Sequence, residues 1–397
     1  MVNKWQTGKL GELVTFKTGK LDSNAAVPDG DYPFFTCSQE TLRTNTFSFD
    51  TECVLLAGNN ANGIYPLKYF QGKFDAYQRT YVVKPRDTEV LTTKFLYYAL
   101  RPKLSELRSF STGAATKFLT LTILNDTEIQ APPLPVQRRI GAILSAYDEL
   151  IENSQRRIRI LEAMARALYR EWFVHFRFPG HRQLPHVASP LGDIPQGWEV
   201  KTVPECVDIS PRVAVPRGGE KPFVPMGCLS NDSMLIADIE SRAGNSGAKF
   251  QNGDTLFARI TPCLENGKTG FVQFLPDAQA VGFGSTEFIV LRSRTLTPEF
   301  VYLLARSDEF RGVAIKSMSG ATGRQRVQEQ CFDDFQIAQP TRALLDKFSA
   351  IVALSFRLIH KLHLQIQNLR RTRDLLLPRL LAGQVELAPS SDKATNL

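Results

Sequence analysis

The longest regular feature of the chain is an apolar seam running through positions 136–178. Ile140, Leu144, Tyr147, Ile151, Ser154, Ile158, Leu161, Ala165, Leu168 and Trp172 follow one another in alternating steps of four and three, the spacing of a coiled-coil face. Only Ser154 and small Ala165 weaken it, and a single polar seam position can fix register at some cost in stability. Pro132, Pro133 and Pro135 precede the run, and Pro179 and Gly180 follow it. The pattern therefore predicts one helix over 136–178, roughly 65 Å long at 1.5 Å per residue. Arg138, Arg139, Asp148, Glu149, Glu152, Arg156, Arg157 and Arg159 crowd its first half, which excludes a membrane span.

Such a seam needs a partner, and the chain carries one downstream. Adding 208 to each seam number gives Phe348, Val352, Ser355, Ile359, Leu362, Ile366, Leu369, Arg373, Leu376 and Leu380, of which eight are apolar. Arg373 then needs an acidic neighbour or a path to water for its guanidinium. This is the mark of an internal duplication. The starts of the halves match too, since Trp5-Gln-Thr-Gly-Lys-Leu resembles Trp198-Glu-Val-Lys-Thr-Val at an offset of 193, so the second globular segment is the longer. The first helix leaves one segment and delivers the chain to the other. A second helix sharing the seam must run back, which predicts an antiparallel pair and a pseudo-twofold axis across it.

Outside these helices the period changes to short β-rich runs. Leu13-Val-Thr-Phe, Tyr32-Pro-Phe-Phe, Cys53-Val-Leu-Leu and Thr80-Tyr-Val-Val are broken by Gly and Asn turns, and helical sequence follows over 93–100. The second segment repeats the plan with Thr255-Leu-Phe-Ala, Gly270-Phe-Val-Gln-Phe and Glu287-Phe-Ile-Val-Leu, then helical sequence over 298–304. The fold class expected is α+β: two similar globular domains separated by a long antiparallel two-helix coiled coil. The divisions are 1–134 for the first domain, 135–179 for the first helix and 180–197 for a Pro/Gly-rich linker. The second domain is 198–339, the second helix 340–383, and 384–397 is a polar tail read as disordered.

Composition adjusts this picture only slightly. With 397 residues, 43% of them hydrophobic, there is material for two or three domains. Cys37, Cys53, Cys206, Cys228, Cys263 and Cys331 are scattered without a Cys-x-x-Cys pair, and read as free thiols of a reducing cytoplasm. No secretory signal or apolar span is found, so a cytoplasmic location is expected and no membrane partner. The net charge of +8 points to a polyanionic partner. Its distribution is uneven: positions 1–135 hold 15 basic and 13 acidic residues and 197–339 hold 15 and 17, whereas 341–383 hold 8 and 2. Any nucleic-acid contact by the globular segments must then come from local arrangement of charge.

Several stretches resemble one family. Thr255-Leu-Phe-Ala-Arg-Ile-Thr-Pro-Cys-Leu-Glu-Asn-Gly-Lys-Thr-Gly, Gly282-Phe-Gly-Ser-Thr-Glu-Phe-Ile-Val and Gly320-Ala-Thr-Gly-Arg-Gln-Arg-Val are similar to the second target-recognition domain of the specificity subunit of a type I restriction-modification system. The proline-rich Pro132-Pro-Leu-Pro-Val-Gln-Arg-Arg-Ile, the Gly192-Asp-Ile-Pro-Gln-Gly-Trp linker and Leu377-Pro-Arg-Leu-Leu-Ala-Gly match other hallmarks of that family. In the first domain Ser111-Thr-Gly-Ala-Ala-Thr-Lys holds the place of Ser319-Gly-Ala-Thr-Gly-Arg in the second.

The resemblance implies a non-catalytic subunit that reads double-stranded DNA. Each recognition domain would read one half of a split, asymmetric site. Two adenine methyltransferase subunits and restriction/translocase subunits would be the partners, with S-adenosylmethionine, ATP and magnesium bound on those partners and no cofactor in this chain. The residues agree with that division of labour. The Pro-Pro of Ala131-Pro-Pro-Leu lacks the Asn/Asp and aromatic neighbours that hold a flipped adenine, and Gly267-Lys-Thr has Pro262 where a phosphate loop needs glycine. Arg156, Arg157, Arg370 and Arg371 are candidate partner contacts on the helices.

For base reading, Arg or Lys suits guanine and Asn or Gln suits adenine. The first-domain candidates are Asn59, Asn60, Asn62, Lys68, Gln78, Arg79 and Lys117. Those of the second are Arg259, Lys268, Arg324, Gln325 and Arg326. A structural adaptor, whose coil is the function and whose globular halves bind protein, is the alternative the sequence leaves open.

Overall fold

The computed structural model describes residues 5–60, 64–110, 117–215, 218–321 and 323–387, and within these the side chains of Asn60 and Lys117 are not described. The chain is α+β and divides into two compact units, one formed by 1–151 with 368–397 and the other by 152–367. Two long helices, Leu134–Tyr169 and Arg342–Leu381, each contribute to both units. All ten seam positions of each helix are buried or half-buried, so the apolar spacing did identify the covered face.

The first unit is built on a six-stranded sheet in the order Val14–Thr18, Thr80–Pro85, Phe49–Ala57, Leu67–Ala76, Tyr32–Phe35, Leu42–Thr44. Apolar cores cover both of its faces. Val54 and Leu56 join one core with Phe95 and Leu100, whereas Cys53 and Leu55 join another with Phe35 and Phe74. That is why 53–56 reads as an unbroken apolar run instead of an alternating one. Burial pushes the Cys53 thiol pKa up to about 12. The helix Thr93–Leu100 starts where the Thr92 hydroxyl accepts the Phe95 N–H at 3.3 Å. Buried Gln137 fastens the first long helix to this unit, accepting from Thr92 N–H at 2.9 Å and donating to the carbonyls of Val90 and Pro132 at 2.8 Å. Within the same unit, Leu377 and Leu380 of the second long helix share the core of Ile140 and Leu144. Arg373 finds its acidic neighbour there, ion-paired with Asp148.

The second unit repeats the topology with one interruption. Its strands Val207–Ile209, Phe288–Ser293, Thr255–Ala258 and Thr269–Phe271 form one sheet, and Glu240–Ala243, Glu220–Val224, Gly282–Gly284 and Ala248–Phe250 form another. In each unit one strand pair is parallel, Tyr32–Phe35 with Leu67–Ala76 and Glu220–Val224 with Gly282–Gly284. The hairpin that is continuous in the first unit, Phe49–Ala57 with Leu67–Ala76, is broken in the second at 251–254 and 272–281. Gly253 at φ +91° and buried Asp254, bound twice by Arg292 at 2.6 and 2.7 Å, make the break. The greater length of this half lies partly in 272–281 and mostly in the connection 225–239, which joins Glu220–Val224 to Glu240–Ala243 where the first unit needs only 36–41 between Tyr32–Phe35 and Leu42–Thr44. Thr297 caps Pro298–Ala305 as Thr92 caps its counterpart.

Three differences from the sequence reading stand out. The first long helix keeps α geometry only to Tyr169. It then takes a wider five-residue turn over Arg170–Val174, because Trp172 and Phe173 must both face an aromatic cluster with Phe300 and Phe348. The segment 180–197 contains a hairpin, His186–Ser189 with Gly192–Pro195, which ends by seating Trp198 against Phe178. The stretch 384–387, read as the start of a polar tail, packs Val385 and Leu387 against the first unit's core, and 388–397 lie outside the described residues.

Candidate nucleic-acid interface

In the first unit, the turn 77–80 closes through Thr80 N–H donating to Tyr77 O at 2.8 Å. Its third residue, Arg79, accepts the Gly58 N–H on its carbonyl at 2.7 Å, and Gly58 O in turn accepts the Leu119 N–H at 2.8 Å. Next to this chain of bonds, Asn59–Asn60 pairs antiparallel with Lys117–Phe118. A small polar ladder thus stands at the end of the main sheet. Glycine is required at 58, since a Cβ there would meet Arg79 O at 2.6 Å and the Tyr81 ring at 2.9 Å.

The same ladder is built in the second unit. The turn 285–288 closes through Phe288 N–H to Ser285 O at 3.3 Å, Glu287 O accepts the Arg259 N–H at 2.9 Å, and Arg259 O accepts the Val327 N–H at 2.8 Å. Ile260 bridges Arg326, and Thr261 N–H donates to Gln325 O at 3.1 Å. Position by position, Gly58 matches Arg259, Arg79 matches Glu287, Asn59 matches Ile260, Phe118 matches Arg326 and Leu119 matches Val327. Residue 289, which pairs with Phe257 as Tyr81 pairs with Leu56, is isoleucine in place of tyrosine.

The structure brings together part of the predicted set. Arg79 is exposed and lies over the Phe118 ring at 5.6 Å, Gln78 is exposed beside it, and the Asn59 amide oxygen is within 2.8 Å of the Cys37 thiol. Lys68 is turned to another task. Its ammonium donates to the carbonyls of Ser38 and Glu40 and to the Thr41 hydroxyl at 2.9–3.3 Å, and burial lowers its pKa. Asn62 and the segment 111–116 lie outside the described residues.

In the second unit Arg259, Arg324, Gln325 and Arg326 converge. Arg324 is exposed and, among the described residues, its guanidinium has no protein partner. Arg326 holds Glu287 through both carboxylate oxygens at 2.7–3.1 Å and keeps that carboxyl below its usual range, while Arg259 pairs with Glu329 at 2.8 Å. Lys268 donates to Leu229 O at 2.6 Å, one strand away. Sequence reading missed Phe118, Glu287, Glu329, Arg212 and Lys249. The last two line a cleft of about 500 Å³ with Arg259 and Glu329. Matching the halves turn by turn would have exposed Glu287 as the counterpart of Arg79.

Residues 3–163 match the family model of the type I restriction modification DNA specificity domain. The EcoDI type I restriction enzyme specificity subunit of Escherichia coli is 33% identical over 231 residues, which cover 53% of this chain and 51% of that one. The chain is related to the type I specificity subunits. The MjaIX specificity subunit of Methanocaldococcus jannaschii is 26% identical over 318 residues, covering 76% and 71% of the two chains. This chain thus spans about half the length of the E. coli specificity subunit. The type I restriction-modification S subunit from M. genitalium shares the fold, with a TM-score of 0.63 at 16% identity over 95% of this chain and 96% of that one. No helix among the described residues is long and apolar enough to cross a membrane.

Proposed function

We propose that this chain is the non-catalytic, sequence-specific DNA-binding subunit of a type I restriction-modification enzyme, and that each unit reads one block of a bipartite, asymmetric site. The observation that carries the reading is the polar ladder built twice on one topology with different side chains. A shared frame gives shared docking on the duplex, and different side chains at matched positions give different base preferences. The two long helices are the spacer and run antiparallel. Two contacts support that direction: Asp148 with Arg373 inside the first unit and Trp172 with Phe348 inside the second. Two adenine methyltransferase subunits and the restriction/translocase subunits are the assembly partners, and they would carry the S-adenosylmethionine, ATP and magnesium.

Salt-titrated binding of the assembled modification complex to a duplex carrying its target tests this against the protein-adaptor alternative. Contact with six or more phosphates predicts an affinity loss of about a thousandfold or more between 50 and 200 mM salt. Binding to protein alone, or DNA binding indifferent to salt, contradicts the proposal.

A further inference from the structure

The matched positions carry opposite chemistry at one spot. In the first unit the side chains of Arg79 and Phe118 meet, a cation over an exposed ring. In the second unit the residues at the same two places, Glu287 and Arg326, meet as a bidentate ion pair. The backbone around both pairs is held by the same hydrogen bonds, so the difference lies in the side chains alone.

Packing does not account for either pair. Phe118 is 38% exposed although it sits in a ladder of polar residues, and Arg79 makes no ion pair among the described residues. A cation and an apolar ring edge together suit a guanine, with its O6 and N7 acceptors, next to a thymine methyl. In the second unit the Glu287 side chain is 21% exposed and its partner Arg326 is 49% exposed. A carboxylate in that place suits an exocyclic amine, cytosine N4 or adenine N6. Arg326 orients it and offsets the repulsion between a carboxylate and the phosphates.

We propose that 79/118 and 287/326 are equivalent specificity positions, the first pair reading guanine acceptors beside a thymine methyl and the second reading an exocyclic amine. This rests on the DNA-reading assignment above. In the first unit the pair excludes bases that present a donor there. In the second it excludes bases that present only acceptors.

The test is an exchange of pairs in the full chain, co-expressed with its methyltransferase subunits and read by mapping methylated adenines. Arg79→Glu with Phe118→Arg should change the preferred base at one position of the first block and leave the second block as it was. Glu287→Gln is isosteric and keeps the fold. It should cut discrimination at one position of the second block roughly 10- to 100-fold, with the first block unchanged. An unchanged target in either variant, or an even loss across all sequences, overturns the pair assignment. If the unsubstituted chain directs methylation to no defined sequence, the DNA-reading assignment itself fails.

Discussion

Removing the carboxylate of Asp148 isolates one buried polar contact between the two long helices within the first unit. Asp148 accepts from the Tyr98 hydroxyl at 2.8 Å, pairs with Arg373, and has Arg101 within 3.6 Å. Tyr98 is 2% exposed, so its hydroxyl loses its partner in a largely buried place once Asp148 is gone, and burial beside the carboxylate already holds that phenol far above its ordinary pKa. Each hydrogen bond to a charged group contributes about 1.5–3 kcal/mol. Asp148→Ala removes two of them. The sum is discounted because the Asp148 side chain is 28% exposed and because Arg373 keeps Asp374 at 2.8 Å. A loss of about 2–3 kcal/mol remains. Hydrogen exchange read on Thr93–Leu100 reports this locally, without requiring the two units to unfold together. Protection there should fall roughly 30- to 150-fold. Replacing both partners by leucine continues the apolar seam and should restore protection to within about tenfold, since a well-packed apolar pair often matches a buried ion pair. A single variant protected to within threefold of the parent chain, or a double variant as weak as the single, would refute this account of Arg373 in the seam.

Three further outcomes are expected. Glu162 is buried, accepts from Ser233 Oγ and Met234 N–H at 2.7 Å, and has its pKa raised by desolvation. Between the unfolded and folded pKa values the folded chain binds more protons, so stability should fall as pH rises from the ordinary carboxylate value through the raised one. Glu162→Gln should flatten that slope in urea midpoints, and an unaltered slope assigns it elsewhere. Gly58→Ala places a methyl 2.6 Å from Arg79 O, which should cost about 1–3 kcal/mol and speed exchange of the Leu119 amide. An unchanged rate contradicts the ladder. Deleting one heptad from both long helices shortens them by about 10 Å and should change the gap between blocks, and the same gap at full methylation efficiency would mean the helices are not the ruler.

The long helices were legible because an apolar spacing over many turns has one solution, and the strands at 32–35 and 255–258 were read to the residue. Strand Leu67–Ala76 was not found. Lys68, Gln71, Gly72 and Lys73 interrupt its apolar face, and only its pairing with Phe49–Ala57 makes it a strand. The end of the first helix was overshot because Trp172 and Phe173 satisfy a helical spacing and an aromatic cluster equally well. In the candidate site the basic and amide residues were legible by type. Their partners were not: Glu287 lies 39 positions from Arg326, and nothing local in the sequence links them. Lys68 has the right chemistry for DNA, yet it is held by three oxygens of the loop 38–41, a fate fixed by tertiary geometry.

Mapping methylated adenines in cells that express this chain with its methyltransferase subunits shows whether one chain carries two readers of different chemistry. Two such readers predict two short specific blocks, different from each other, separated by an unspecified gap of about one helical turn of DNA. A palindromic target, a single contiguous block, or methylation without sequence preference would contradict that prediction.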